Sequence, residues 1–136
     1  MGIDLNIMSA GLKQHFPEIL FAYVFGSAKE GDPGPGSDLD IAVWLEDISR
    51  KALLIPEIIG KVESLYPGFD CDLLILNEAG ELIAFEAMQG RKLFVREDAA
   101  EQHAAFYSLT CRMYEDTTAW MRKQLKYRGY EVQWDH

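Results

Sequence analysis

The sequence predicts an α/β domain, α+β in its mixture of strand directions, with a mixed sheet of about four strands flanked by helices and a long C-terminal helix. Two observations carry that prediction. Short apolar runs rich in β-branched and aromatic residues, at 20–25, 38–45, 69–76 and 92–95, alternate with segments of helical periodicity in the order α β β α β α β α. The chain has 136 residues, 49% hydrophobic and 26% charged, which is enough apolar surface for one packed core without disulfides.

Residues 3–15 place Ile3, Ile7, Leu12 and Phe16 near helical spacing, and Pro17 ends the segment because the residue before a proline disfavours the α region. Residues 20–25 (LFAYVF) are too short for a helix and stop at Gly26. The interval 28–37 holds three glycines and two prolines, which leaves a loop with at most one turn at 27–30. Residues 38–45 (DLDIAVWL) alternate and then become apolar, as a strand does on entering a core from an exposed edge. Asp47 or Ser49 is placed to cap a helix over 50–65, striped by Leu53, Leu54, Ile58, Ile59, Val62 and Leu65 and closed by Pro67-Gly68. Residues 69–76 (FDCDLLIL) read as the third strand, with Asp70 and Asp72 on one face. A short helix over 78–88 stops at Gly90, a fourth strand follows at 92–95, and Asp98 caps a helix running to about residue 127. One domain is expected over 1–136, with its core at about 20–95.

The charge balance narrows the function. The net charge is -9 and the predicted pI about 4.7, which argues against broad binding to a phosphate backbone and so against direct nucleic-acid binding. The excess is local: residues 1–100 carry 17 acids and 8 bases, residues 101–136 five of each. Cys71 and Cys111 lack metal-site spacing and read as reduced, buried hydrophobes. With no basic leader and no apolar run of membrane length, a cytoplasmic location is expected.

Three features carry chemistry: Gly26-Ser27 directly after a strand, Asp38-Leu39-Asp40 opening the next, and an acid at the start of the third. On an extended chain Asp38 and Asp40 leave the same face, with Cα atoms about 6.5 to 7 Å apart. That spacing suits a shared hard cation, since magnesium is held by one or two carboxylates together with substrate phosphates. A third carboxylate from a neighbouring strand lets a second ion sit about 3.5 to 4 Å away. Paired acids alone usually mark a solvated strand end, but these run straight into IAVWL, and a local rule broken beside a core points to a site. Gly26 lets a ligand approach the backbone closely, while Ser27 and the amides after it offer donors to phosphate; in isolation Gly-Ser is an ordinary tight turn.

Gly26-Ser27, ten intervening residues and Asp38-x-Asp40 together resemble the signature of the DNA polymerase β nucleotidyltransferase superfamily. Over about residues 20–95 the chain looks like its minimal branch, including FDCDLLIL and the Gly-basic-x-Leu turn in QGRKLFV. The resemblance implies a nucleotidyltransferase fold with Gly26, Ser27, Ser37 and Lys29 on the nucleotide and two Mg2+ ions held by Asp38, Asp40 and Asp72. The same resemblance implies that Asp72 helps activate the acceptor hydroxyl, with Asp70 as the alternative for that third position. ATP is the implied substrate. Many relatives carry arginine three residues after the serine, where this chain has Glu30, with Lys29 beside it.

Nucleotidyltransferases of this size resemble the MntA-like antitoxins of HepT/MntA (HEPN/MNT) toxin–antitoxin pairs. That likeness implies transfer of AMP to a tyrosine of a HEPN ribonuclease toxin, with the two proteins as a hetero-oligomer. A degenerate antitoxin acting by binding alone and a small-molecule nucleotidyltransferase are the alternatives. In the C-terminal helix, Tyr107, Cys111, Tyr114, Thr118, Met121 and Leu125 form a stripe for the core, and Phe106, Leu109, Met113 and Trp120 widen it towards a partner surface. Arg122, Lys123, Lys126 and Arg128 suit a solvated helix end. The three histidines lack neighbouring ligands in sequence, which argues against a metal role, and Trp44 is expected in or beside the sheet.

Overall fold

A computed structural model describes residues 2–34, 36 and 38–129; Ser37, Tyr130, Trp134 and His136 lie outside the described residues. Eight main elements follow one another: α1 (Leu5–His15), β1 (Ile19–Phe25), β2 (Leu39–Leu45), α2 (Lys51–Leu65), β3 (Cys71–Ile75), α3 (Glu81–Met88), β4 (Arg91–Val95) and α4 (Ala100–Tyr127). The predicted order stands, and the strands form one sheet in the order β3-β2-β1-β4. β1 runs antiparallel to both β2 and β4, while β2 and β3 are parallel and joined through α2. A parallel pair needs such a crossover, whereas the loop after β1 suffices for an antiparallel one.

Every residue of β1 is buried, because it is a central strand with helices on both faces. Ile19, Ala22 and Val24 face α1 and α2, meeting Met8, Leu12, Leu54, Ile58 and Val62. Phe21, Tyr23 and Phe25 face the other side, packed with Ala84, Ala87 and Met88 of α3 and with Phe106 of α4. Trp44 joins that second layer, its ring centroid 5.5 Å from Phe21 and 4.8 Å from Phe106. Tyr23 reaches across to α4, where its hydroxyl lies 2.6 Å from Nε2 of His103. Burial there pushes the Tyr23 phenol up to about 12 and lowers His103, with Lys92 adding to the latter.

Several local expectations are corrected. Asp98 does not cap α4: a 3-10 turn over Glu97–Ala99 comes first, and Ala99 occupies the cap without a side-chain bond. Asp47 caps a 3-10 turn over Ile48–Arg50 ahead of α2, accepting from Ser49 N at 3.0 Å and Oγ at 2.7 Å. Leu53 points outward, since Leu54, Ile58 and Val62 supply the buried row four residues apart. Both cysteines are half-buried rather than buried.

Arg96, just beyond β4, fastens the start of β1 to the end of α1. Its Nε donates to Ile19 O at 2.7 Å, and one Nη donates to Lys13 O at 2.8 Å and Phe16 O at 3.0 Å. Arg96→Met keeps the apolar stem and strands these carbonyls, so a loss of about 2 kcal/mol is expected. Urea unfolding checks it: the midpoint falls while the slope stays unchanged.

Candidate active site

The register brings the sequence-predicted acids to one end of the sheet. Phe25, the last residue of β1, pairs with Asp40, and Asp40 pairs in turn with Asp72 on β3. Asp40 and Asp72 lie on the α3/α4 face, as their spacing from Ala42 and Leu74 requires. They line a cleft of about 320 Å3 together with Phe25, Leu73, Leu74, Ile83 and Glu86. Asp38 is exposed at the foot of β2. Asp70 precedes β3, where its backbone carbonyl accepts from Leu39 N at 2.8 Å, and its side chain is not among the cleft's lining groups.

Gly26 and Ser27 form a 3-10 turn with Ala28, whose side chain is fully buried and so pins the turn to the core. Gly26 has φ +66, and a Cβ there would collide with Oδ2 of Asp40. A glycine is thus required twice over, by backbone conformation and by close approach. Ser27 is exposed on the turn. Lys29 lies apart from the acids, in a separate cleft shared with Glu30, Gln89, Gly90 and Arg91.

Among the described residues the acid cleft is lined by three carboxylates and no basic side chain. Burial first, then the charges of Asp72, Asp38 and Glu86, hold the Asp40 carboxyl above its ordinary value. Among the described residues no three carboxylate, imidazole or thiol groups are drawn into a single coordination shell. The acids share a cleft without closing on one point, as mutually repelling charges do. A larger cleft of about 530 Å3 is lined by Lys123, Lys126 and Tyr127 on the last turns of α4, and among the described residues it shares none with this one.

Sequence reasoning missed Ile83 and Glu86. The signal was present: the two are three residues apart on α3, hence on one helix face, and Glu86 is the one acid in an otherwise apolar stretch from Leu82 to Met88. What the sequence could not show is that this face borders the cleft it shares with the acids of β2 and β3.

The fold agrees with the comparisons. The family profile "Polymerase beta, Nucleotidyltransferase" matches residues 8–100, and the chain belongs to that family. Among solved structures, it is similar to a mutant MntA–HpeT toxin–antitoxin, with TM-score 0.70, 24% identity and coverage of 94% of this chain and 100% of that one. A toxin–antitoxin with AMP-PNP gives TM-score 0.69 at 24% identity, with the same coverage. A tri-AMPylated HEPN toxin in complex with MNT antitoxin, from Shewanella oneidensis, gives 0.60 at 20% identity over 93% of this chain and 96% of that one. No curated protein matches the chain. The mixed four-stranded sheet with its long C-terminal helix is the nucleotidyltransferase fold of these antitoxins.

Proposed function

We propose that this protein is an antitoxin nucleotidyltransferase that transfers AMP from ATP to a tyrosine of a HEPN toxin partner and so neutralises it. The observation that carries the reading is the register: Asp40 lies beside Asp72 across two strands, and Gly26 presses its backbone against the Asp40 carboxylate. Family membership supplies the reaction class. The acceptor and partner rest on similar folds whose descriptions name a HEPN toxin, its AMPylation and AMP-PNP.

The donor set fits magnesium in kind, because hard carboxylate oxygens line one cleft where, among the described residues, no basic side chain offsets them. Asp38, Asp40 and Asp72 would hold it, and when bound it supplies charge neutralisation at the phosphoryl oxygens. The chain's own groups position the reactants. Ser27 and the amides of its turn orient the phosphates, while Phe25, Leu73, Leu74 and Ile83 wall the cleft against water. In this reading Asp72 takes the phenol proton as the tyrosine oxygen attacks the α-phosphorus. The new bond joins that oxygen to phosphorus, the bond to the β-phosphate oxygen breaks, and pyrophosphate leaves.

The test is incubation of the protein with α-labelled ATP, magnesium and a candidate HEPN toxin partner. Label is expected on a toxin tyrosine, with loss of ribonuclease activity. Toxin neutralised equally well by a chain with Asp38, Asp40 and Asp72 all changed to alanine would show a pure binder, the reading that Glu30 beside the phosphate turn favours.

A further inference from the structure

The second cleft, on the far side of the Gly26–Ala28 turn, has a composition opposite to the first. It measures about 280 Å3 and is lined by Lys29, Glu30, Gln89, Gly90 and Arg91. Two features of β4 put it next to the acids. Arg91 pairs with Val24, so β4 begins beside the end of β1. Gly90 passes so close over that end that a Cβ would run into the Val24 carbonyl and lie 2.8 Å from Cβ and 2.9 Å from Cα of Phe25. Phe25 lines the acid cleft. The two clefts are therefore separated by one backbone segment, 25–27.

The basic side chains of this cleft are available for a ligand. Arg96 is spent on three backbone carbonyls, Arg50 faces Glu18 at 3.6 Å and Lys51 faces Glu78 at 2.6 Å. Lys29 and Arg91 are exposed, and among the described residues neither makes a side-chain hydrogen bond or ion pair, even with Glu30 in the same cleft. A triphosphate whose α-phosphate sits by Asp40 and Asp72 must carry its remaining negative charges away from Glu86 and the other acids. Across the turn it meets a guanidinium and an ammonium.

We propose that Arg91, with Lys29, is the receptor for the β- and γ-phosphates of the nucleotide and for the pyrophosphate formed from them. The inference rests on the nucleotidyltransferase reading and adds to it a residue from a different strand. Arg91 is the stronger partner because its planar fork can hold two phosphoryl oxygens at once. Glu30 opposes the pair and weakens the site.

Calorimetry with magnesium and a non-hydrolysable ATP analogue, set beside AMP, tests this. Arg91→Ala is expected to weaken analogue binding by about tenfold, the scale of one lost charge-assisted bond, and to leave AMP binding unchanged. Lys29→Ala gives a smaller loss, Arg91→Lys recovers part of it, and Glu30→Gln tightens binding. Since Arg91 is exposed, thermal unfolding of the variant should match the wild type, which separates a binding defect from misfolding. Equal analogue affinity in wild type and Arg91→Ala, or an equal loss for AMP and analogue, overturns the inference and leaves the proposed activity standing. A wild-type protein that binds no nucleotide overturns both.

Discussion

Asp40→Asn is expected to lower nucleotidyl transfer by about a thousandfold while raising the thermal midpoint of the magnesium-free protein by about 2–4 °C. Both effects come from one geometry. Asp40 is packed beside Asp72 with Asp38 and Glu86 near, and its carboxyl is raised above the ordinary 3.8 by burial and by those charges. A raised acid favours its protonated form in the fold, so its ionisation costs stability. The cost is absent below the unfolded value and grows as pH rises through the elevated folded one. Asparagine keeps the shape and removes the charge, which relieves the repulsion and deletes a candidate ligand together. Magnesium should raise the midpoint of the wild type and leave that of the variant nearly unmoved, since only a cation bound to the native cleft shifts the equilibrium. Scanning fluorimetry across pH 4 to 8, with and without magnesium, checks both statements. A variant less stable than wild type at pH 8 without magnesium would contradict the repulsion argument.

Gly26→Ala combines a loss of stability with a loss of activity. The residue stands at φ +66, where an alanine costs about 1 kcal/mol. Its methyl must also displace the Asp40 carboxylate, and a shift of about 1 Å at a reacting centre can cost a hundredfold in rate. The expected outcome is a denaturation midpoint lowered by an amount equivalent to about 1–2 kcal/mol and transfer reduced by about two orders of magnitude. The crystal structure of the variant should show Asp40 in a different rotamer. A fully active Gly26→Ala would mean that the turn bends away from Asp40 at little cost, and that the close approach is incidental.

The order of elements and the grouping of Asp38, Asp40 and Asp72 at one end of the sheet were legible because each depends on local rules. Alternation fixes which face an aspartate leaves, and glycine and proline mark where strands end. The preference for Asp72 over Asp70 fits the register, in which Asp72 stands opposite Asp40 while Asp70 uses its backbone carbonyl before the strand begins. Strand pairing was a different matter. Nothing local says that β4 lies against β1, so the sequence could not bring Arg91 near the Gly26–Ala28 turn or set Glu86 of α3 in the cleft of the acids. Lys29, grouped with Gly26 and Ser27 by proximity in sequence, stands instead with Arg91 in the neighbouring cleft. The widened face of α4 was anticipated in part: Leu109, Met113 and Trp120 are exposed on it, Trp120 to 62%, whereas Phe106 packs inward on Phe21 and Trp44 and Tyr107, expected in the core stripe, is exposed.

The placement of β1 between β2 and β4 also sets a timetable for synthesis. The acids and the glycine turn leave the ribosome early, whereas the strand that flanks β1 on its other side is separated from it in the chain by β2, α2, β3 and α3. Long-range pairings of this kind form late, after the costs of loop closure have been met. A nascent chain therefore displays its cluster of repelling carboxylates, and an uncovered apolar edge of β1, before it owns the arginine of the second cleft. On the role proposed for Arg91, competence to grip a triphosphate arrives only with β4, and a chain stopped short of that strand would be prone to stick to its neighbours.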